Sequence, residues 1–106
     1  MTDLSGFEGR LDELTTRVLM PLRADKSLNG QALTELEELV REIGDSGAVA
    51  ETIPTAFAGK LWFVFYAMHD EADHARAEAG AIRRAAAGYQ EALRVAIFGP
   101  WWGRGR

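Results

Sequence analysis

Apolar residues recur along the first half of the chain at spacings of three and four, the period of one face of an α-helix. The first stripe precedes Pro21, which we expect to end or kink the first helix. The second follows a polar loop at residues 23–27, begins near Ser27 or Asn29 as its N-cap, and ends at Gly44 as a C-terminal glycine cap. The two stripes are Leu4, Phe7, Leu11, Leu14 and Val18, then Ala32, Leu33, Leu36, Leu39, Val40 and Ile43. Charged residues fill the opposite faces, so the pattern predicts two amphipathic helices.

The second half of the chain carries two further helical stripes that are richer in aromatic residues. A break at residues 44–52 precedes Pro54, which suits the first turn of a third helix. The segment Leu61–Met68 alone is also compatible with a buried strand, but the helical phase extends on both sides of it and favours a helix. The stripes are Phe57, Leu61, Val64, Phe65, Met68, Ala72 and Ala75, then Ile82, Ala86, Tyr89, Leu93 and Ile97. Gly99 and Pro100 are expected to end the fourth segment.

The third and fourth stripes stay in phase across residues 69–81, which leaves two arrangements open. A turn at Ala77–Gly80 would give two shorter helices packed back to back. One helix over 54–98 would be about 68 Å long at 1.5 Å per residue, which is too long for a compact monomer but compatible with an intertwined dimer. We favour the turn and predict an all-α fold, a three- or four-helix bundle over residues 1–98 followed by a Trp/Gly/Arg tail at 99–106.

The composition supports one globular domain and narrows the classes of function. The 106 residues are 47% apolar and 26% charged, which is typical of a folded domain. The sequence has no cysteine, which excludes disulfides, thiolate catalysis and cysteine-ligated zinc. The net charge is −4 and no basic stripe is present, so we expect neither nucleic acid nor an anionic membrane as a partner.

The sequence predicts neither a targeting segment nor a membrane span. The first residues lack the basic region and apolar segment of a secretory signal. The longest apolar run, Leu61–Met68, is far shorter than the roughly 20 residues that cross a bilayer. We therefore expect a cytoplasmic protein. Its abundance of alanine, arginine, glycine and glutamate is typical of a high-GC bacterial proteome.

The segment from His69 to His74 contains the densest group of potential metal ligands. Glu71 and His74 form a Glu-x-x-His unit that resembles the units of ferritin-like di-iron bundles, in which side chains at i and i+3 converge on the metal. A complete site needs a second unit and two more carboxylates, which a symmetric dimer with Glu38 or Glu42 could supply. The candidate metal ligands are Glu71, His74, His69 and Asp73, and a divalent metal is the only cofactor that the sequence suggests. Local ion pairs at i,i+4 are the simpler interpretation, which we favour.

Hydrolytic catalysis and calcium binding receive less support from the sequence. Histidine–aspartate pairs can activate a nucleophile, but a helix cap or a turn explains each serine, so we assign no catalytic residue. The sequence Asp25-x-Ser27-x-Asn29-Gly30 resembles the first half of an EF-hand calcium loop. The twelfth position of that loop is Leu36, where a bidentate glutamate is required, so a polar loop with a helix cap is the better interpretation.

Five aromatic residues lie off the buried stripes and raise the question of a partner surface. Trp62, Phe63 and Tyr66 occupy the side of the third helix away from its main stripe. Either this helix is central and buried on several sides, or the three rings form a dimer face or a ligand groove. Trp101 and Trp102 either fold back onto the bundle beside Trp62, which we favour, or dock a partner.

Two hypotheses of function follow. The first, which we favour, is a non-enzymatic interaction or regulatory protein that acts through the aromatic side of its third helix as a homodimer or with another protein. The alternative is a metal- or small-ligand-binding helical protein centred on Glu71 and His74.

Overall fold

The predicted stripes form four helices in the computed structural model, which describes residues 4–99. The helices are α1 (Ser5–Asp25), α2 (Gly30–Ser46), α3 (Thr55–Asp73) and α4 (Ala79–Leu93), and a π-helical turn, Arg94–Phe98, continues α4. No strand occurs between residues 4 and 99. The predicted all-α bundle is therefore confirmed, in its four-helix form.

The third and fourth stripes belong to two helices, so one continuous helix over 54–98 is wrong, and with it the basis for an intertwined dimer. The chain leaves α3 at His74 and enters α4 at Ala79, a few residues before the turn expected at Ala77–Gly80. The buried stripe of α3 ends at Ala72, and Ala75, the next member of the predicted stripe, is only partly buried against the core. Arg83 donates to Asp73 across the turn at 2.9 Å.

Two helix ends differ from the sequence prediction because packing outweighs local signals. Pro21 lies inside α1, which continues to Asp25. A proline removes one backbone hydrogen bond, but Leu22, the next residue, is fully buried and keeps the last turn on the core. In α2, Gly44 is not the C-terminal cap, because the helix continues to Ser46 and Gly47 adopts the left-handed conformation with φ 79°.

The beginning of α2 follows the prediction. Asn29 is the N-cap, and its Oδ1 accepts a hydrogen bond from the backbone N–H of Ala32 at 3.1 Å. This satisfies one of the backbone donors that the first turn of a helix leaves without an intrahelical partner.

The apolar stripes of the four helices meet in one core. Its members are buried and, Tyr89 apart, wholly apolar; the largest fully buried ones are Tyr89, Leu11, Leu22, Leu36, Leu39, Ile43, Leu61, Met68, Ile82 and Leu93. The hydroxyl group of Tyr89 donates to the backbone oxygen of Leu61 at 2.7 Å, which joins α4 to α3 inside the core.

The helices follow one another around the bundle in the order α1–α2–α4–α3. Both α1 and α4 pack against α2 and α3. Lys60, near the start of α3, contacts Asp12 of α1 at 3.0 Å, whereas Glu71, near the end of α3, contacts Lys26 just after α1 at 2.5 Å. The helices α1 and α3 therefore run parallel, and each is antiparallel to the helix that follows it in the chain.

Candidate functional site

The outer side of α3 carries three aromatic residues that the core does not absorb. Tyr66 is 65% exposed and Phe63 is 49% exposed, whereas Trp62 is half-buried. We call these three residues the aromatic face. The interpretation of α3 as a central helix buried on several sides is wrong, because α3 occupies one corner of the bundle and leaves this side in solvent.

Trp62 anchors the aromatic face to the rest of the bundle. Its ring centroid lies 5.9 Å from that of Phe65 with the planes at 87°, and 6.4 Å from that of Tyr66. The ring of Phe98, at the end of α4, lies 5.4 Å from it. Edge-to-face and tilted pairs at these distances are favourable for aromatic rings, so the exposed Tyr66 rests on an ordered support.

The side chain of Phe65 extends this support towards His69. The two ring centroids are 4.6 Å apart, and Phe65 also lies 5.6 Å from Tyr66 in an edge-to-face arrangement. The sequence places Phe65 on the core stripe, and the structure shows it half-buried against that core. Phe65 thus contacts both the core and the rings of the aromatic face.

Phe98 supports the aromatic face although the sequence pattern does not predict this role. An α-helix that continued through Ile97 would place the next residue about 100° further round the axis. In the π turn, the Gly99 N–H donates to the Arg94 carbonyl, five residues earlier, so each turn holds one residue more and the rotation per residue is smaller. Phe98 is therefore turned towards Trp62. A prediction based on a period of 3.6 residues does not include this contact.

Gly44 allows the π turn to pack against α2. A Cβ at Gly44 would overlap the backbone oxygen of Ala96. The glycine that the sequence suggested as a helix cap is instead a point of close backbone approach.

A shallow pocket of about 200 Å³ adjoins the aromatic face. It is lined by Trp62, Gln90, Glu91, Arg94 and Phe98. Arg94 donates to both carboxylate oxygens of Glu91, at 3.0 and 2.6 Å, and this pair lowers the pKa of Glu91. Ligand sites usually enclose about 300–1,000 Å³, so the pocket has room for one side chain rather than for a cofactor.

The candidate metal ligands do not converge in the structure. Glu71 contacts Lys26 Nζ at 2.5 Å and Arg23 Nε at 3.9 Å, and its side chain is only 15% exposed. Asp73 pairs with Arg83. Two cations therefore compete with any metal for the carboxylate of Glu71.

The two histidines and the α2 carboxylates are likewise engaged elsewhere. The Nδ1 of His74 lies 2.8 Å from the backbone oxygen of Asp70, and His69 lies against Phe65. Glu42 pairs with Arg10 at 3.1 Å. The remaining α2 candidate, Glu38, lines a surface groove between α1 and α2. Within the described range 4–99, no three His, Asp or Glu side chains are grouped so that they could hold a metal ion.

The loop that resembles half of an EF-hand is closed by internal hydrogen bonds. Asp25 Oδ1 accepts from the backbone N–H of Ser27 at 3.1 Å and from its hydroxyl at 2.5 Å. These two bonds lower the pKa of Asp25. The loop is thus a turn that joins α1 to the Asn29 cap, as the sequence favoured.

Trp101 and Trp102, the other two residues of the predicted partner face, lie outside the described residues.

Comparison of the chain with protein-family models, with curated proteins and with solved structures finds no match. None of the helices formed by residues 4–99 combines the length and apolar character that crossing a membrane requires.

Proposed function

We propose that this protein is a non-enzymatic interaction protein, a regulator or an adaptor, that binds another protein surface through its aromatic face. The observation that carries the proposal is the exposure of Phe63 and Tyr66 near the middle of α3, 49% and 65%, together with the packing of Tyr66 against the rings of Trp62 and Phe65. Large exposed aromatic groups are unfavourable in water, and together they mark contact surfaces.

The shape of the surface favours a protein partner over a small molecule. The aromatic face lies on the convex outside of a helix, and the adjoining pocket holds about 200 Å³. Tyrosine and tryptophan bring large contact areas with few rotatable bonds, so they concentrate binding energy in protein interfaces. The pocket beside Trp62 would receive one side chain of the partner.

A photo-crosslinking residue placed on this face tests the proposal in the cells that produce the protein. Benzoylphenylalanine replaces Phe63 or Tyr66, and as a matched control it replaces Ala87, an exposed residue of α4. We expect a protein adduct, identified by mass, from positions 63 and 66 and none from position 87. Equal yields at the three positions, or no adduct at all, would contradict the proposal.

The cytoplasmic location and the exclusion of nucleic acid and membrane partners stay predictions. No contact within residues 4–99 favours a metal at Glu71 and His74 over the ion pairs described above.

A further inference from the structure

We propose that the aromatic face binds a second copy of this chain, with the two α3 helices antiparallel about a twofold axis between Phe63 and Tyr66. This inference rests on the proposed function and names its partner. A twofold dimer uses the same patch on both subunits, so the patch must be complementary to itself. The outer side of α3 meets that condition in its spacing and in its charge.

The residues along the outer side of α3 are spaced symmetrically about a point between Phe63 and Tyr66. Gly59, Phe63, Tyr66 and Asp70 are separated by four, three and four residues and therefore share one side of the helix. In an antiparallel pair centred between Phe63 and Tyr66, each Phe63 faces the other copy's Tyr66. Each Gly59 then faces the other copy's Asp70, and the two aromatic pairs form the centre of the contact.

The charges along α3 are complementary only in the antiparallel arrangement. Asp70 and Asp73 lie at the C-terminal end, and their side chains are 72% and 65% exposed. The N-terminal end has no acidic residue in its first turn, and Pro54 supplies no side-chain cap. A helix N-terminus carries partial positive charge. The antiparallel pair places Asp73 of one copy opposite Ala56 of the other, whereas a parallel pair would place the acidic ends together.

Gly59 is compatible with a close approach of the two helices at this contact. It lies inside α3, is exposed, and a Cβ added there would meet nothing within 4 Å. Glycine inside a helix is destabilising relative to alanine, and packing within one copy does not require it here. Opposite Asp70 of a second copy, the missing Cβ lets the two helices approach closely.

Disulfide trapping tests the arrangement cleanly, because the chain has no cysteine of its own. The double variant Gly59→Cys, Asp70→Cys should form a covalent dimer on mild oxidation, since the two positions face each other between copies. Each single variant should stay unlinked, because like positions lie roughly 16 Å apart along antiparallel helices, beyond disulfide reach. The matched control is Thr34→Cys with Asp45→Cys, two exposed positions of α2 with the same eleven-residue spacing.

Rapid linkage of Gly59→Cys alone would show a parallel pair and overturn the proposal. Linkage of the double variant no faster than that of the α2 control would also overturn it. If photo-crosslinking at positions 63 and 66 instead yields a different protein, the proposed function stands and the self-association fails. The two proposals are therefore distinguishable.

Sedimentation of the unmodified chain provides a second measurement that does not depend on cysteine chemistry. We expect a monomer–dimer equilibrium that Tyr66→Lys weakens at least about tenfold, because a charge would be buried at the centre of the contact. Ala87→Lys adds the same charge on α4 and should leave the equilibrium unchanged. Helical circular dichroism confirms folding of both variants. A strict monomer at every concentration would overturn the proposal.

Discussion

Among the individual residues, Tyr89 shows how a polar group is accommodated in an apolar core. Its side chain is fully buried, and its hydroxyl donates to the Leu61 backbone oxygen at 2.7 Å. Burial, with a smaller contribution from the nearby negative charge of Glu37, raises the pKa of Tyr89 far above its ordinary value. The phenol therefore stays protonated and remains a hydrogen-bond donor at physiological pH.

We expect Tyr89→Phe to lower the free energy of unfolding by about 1 kcal/mol, because it removes one buried hydrogen bond and keeps the ring. Tyr66→Phe removes the same group from an exposed ring and should change the free energy by less than about 0.5 kcal/mol. Urea denaturation of both variants measures the difference. An equal effect at the two positions would contradict the role of the Tyr89 hydroxyl.

Glu37 gives the fold a specific dependence on pH. Partial burial raises the pKa of Glu37 above its ordinary value of 4.5, and the charge of Arg41 offsets part of that effect. A carboxyl group with a raised pKa in the folded state binds protons more tightly there than in the unfolded chain. The free energy of unfolding therefore decreases, through the titration of Glu37, as the pH rises from about the pKa of Glu37 in the unfolded chain to above its pKa in the folded protein.

We expect Glu37→Gln to be more stable than the unmodified protein above that pH range and to lose this advantage as pH falls below it. Glu51→Gln, an exposed change outside the helices, controls for the loss of one negative charge. Thermal unfolding measured from pH 3.5 to 8, a range that spans the ordinary carboxyl pKa, provides the comparison. A lower melting temperature for Glu37→Gln at neutral pH would contradict the expected sign.

At the scale of the helices, the end of α4 departs most from regular geometry. The π turn at Arg94–Phe98 packs through Ala96 against Gly44 of α2 and turns Phe98 towards Trp62. The close approach to α2 and the support of the aromatic face therefore depend on the same five residues.

We expect Gly44→Ala to destabilise the protein by about 2 kcal/mol, because the new methyl group would overlap the Ala96 oxygen and push the π turn outwards. Gly9→Ala, at an exposed position of α1 with nothing within 4 Å, should stabilise it by up to about 1 kcal/mol. Guanidinium denaturation measures both. With Trp101 and Trp102 replaced by phenylalanine, which leaves Trp62 as the single tryptophan, the fluorescence should change only in the Gly44 variant if Phe98 moves.

The helices themselves could be predicted because each has an apolar stripe of the correct period. The stripe through Ile82, Tyr89 and Ile97 is buried as expected. Phe98 could not be predicted, because a π turn breaks the period on which the prediction depends. The role of Gly44 could not be predicted either, because a sequence does not distinguish a glycine that ends a helix from one that allows a neighbouring backbone to approach.

At the scale of the whole molecule, ion pairs join α1 to α3 at both ends of the bundle. Lys60 contacts Glu8 and Asp12 at one end, and Glu71 contacts Lys26 at the other. The sequence suggests a local role for Glu71 together with His74. The partner of Glu71 in the structure is Lys26, which is 45 residues away in the chain. Only the parallel arrangement of α1 and α3 brings these two side chains together, so the pair could not be predicted. The three members of the aromatic face, by contrast, could be named from their positions off the stripe.

We expect Glu71→Gln to lower the free energy of unfolding by about 1 kcal/mol, because Lys26 would lose a partner in a largely shielded site. Glu91→Gln breaks a pair of similar length with Arg94 in which both side chains are at least half exposed. This control should change the free energy of unfolding less than Glu71→Gln does, because water screens an exposed pair. Urea denaturation at low and high salt checks the ranking, and a larger effect at Glu91 would contradict it.

The π turn also determines how the chain should tolerate a change in length. A segment with hydrogen bonds from i to i+5 contains one residue more than an α-helix would place in the same turn. Deleting a residue between Arg94 and Ile97 should therefore restore α-helical bonding instead of breaking α4. The helix would survive the deletion, and because only the extra residue of that turn is lost, the ring of Phe98 would keep its place beside Trp62.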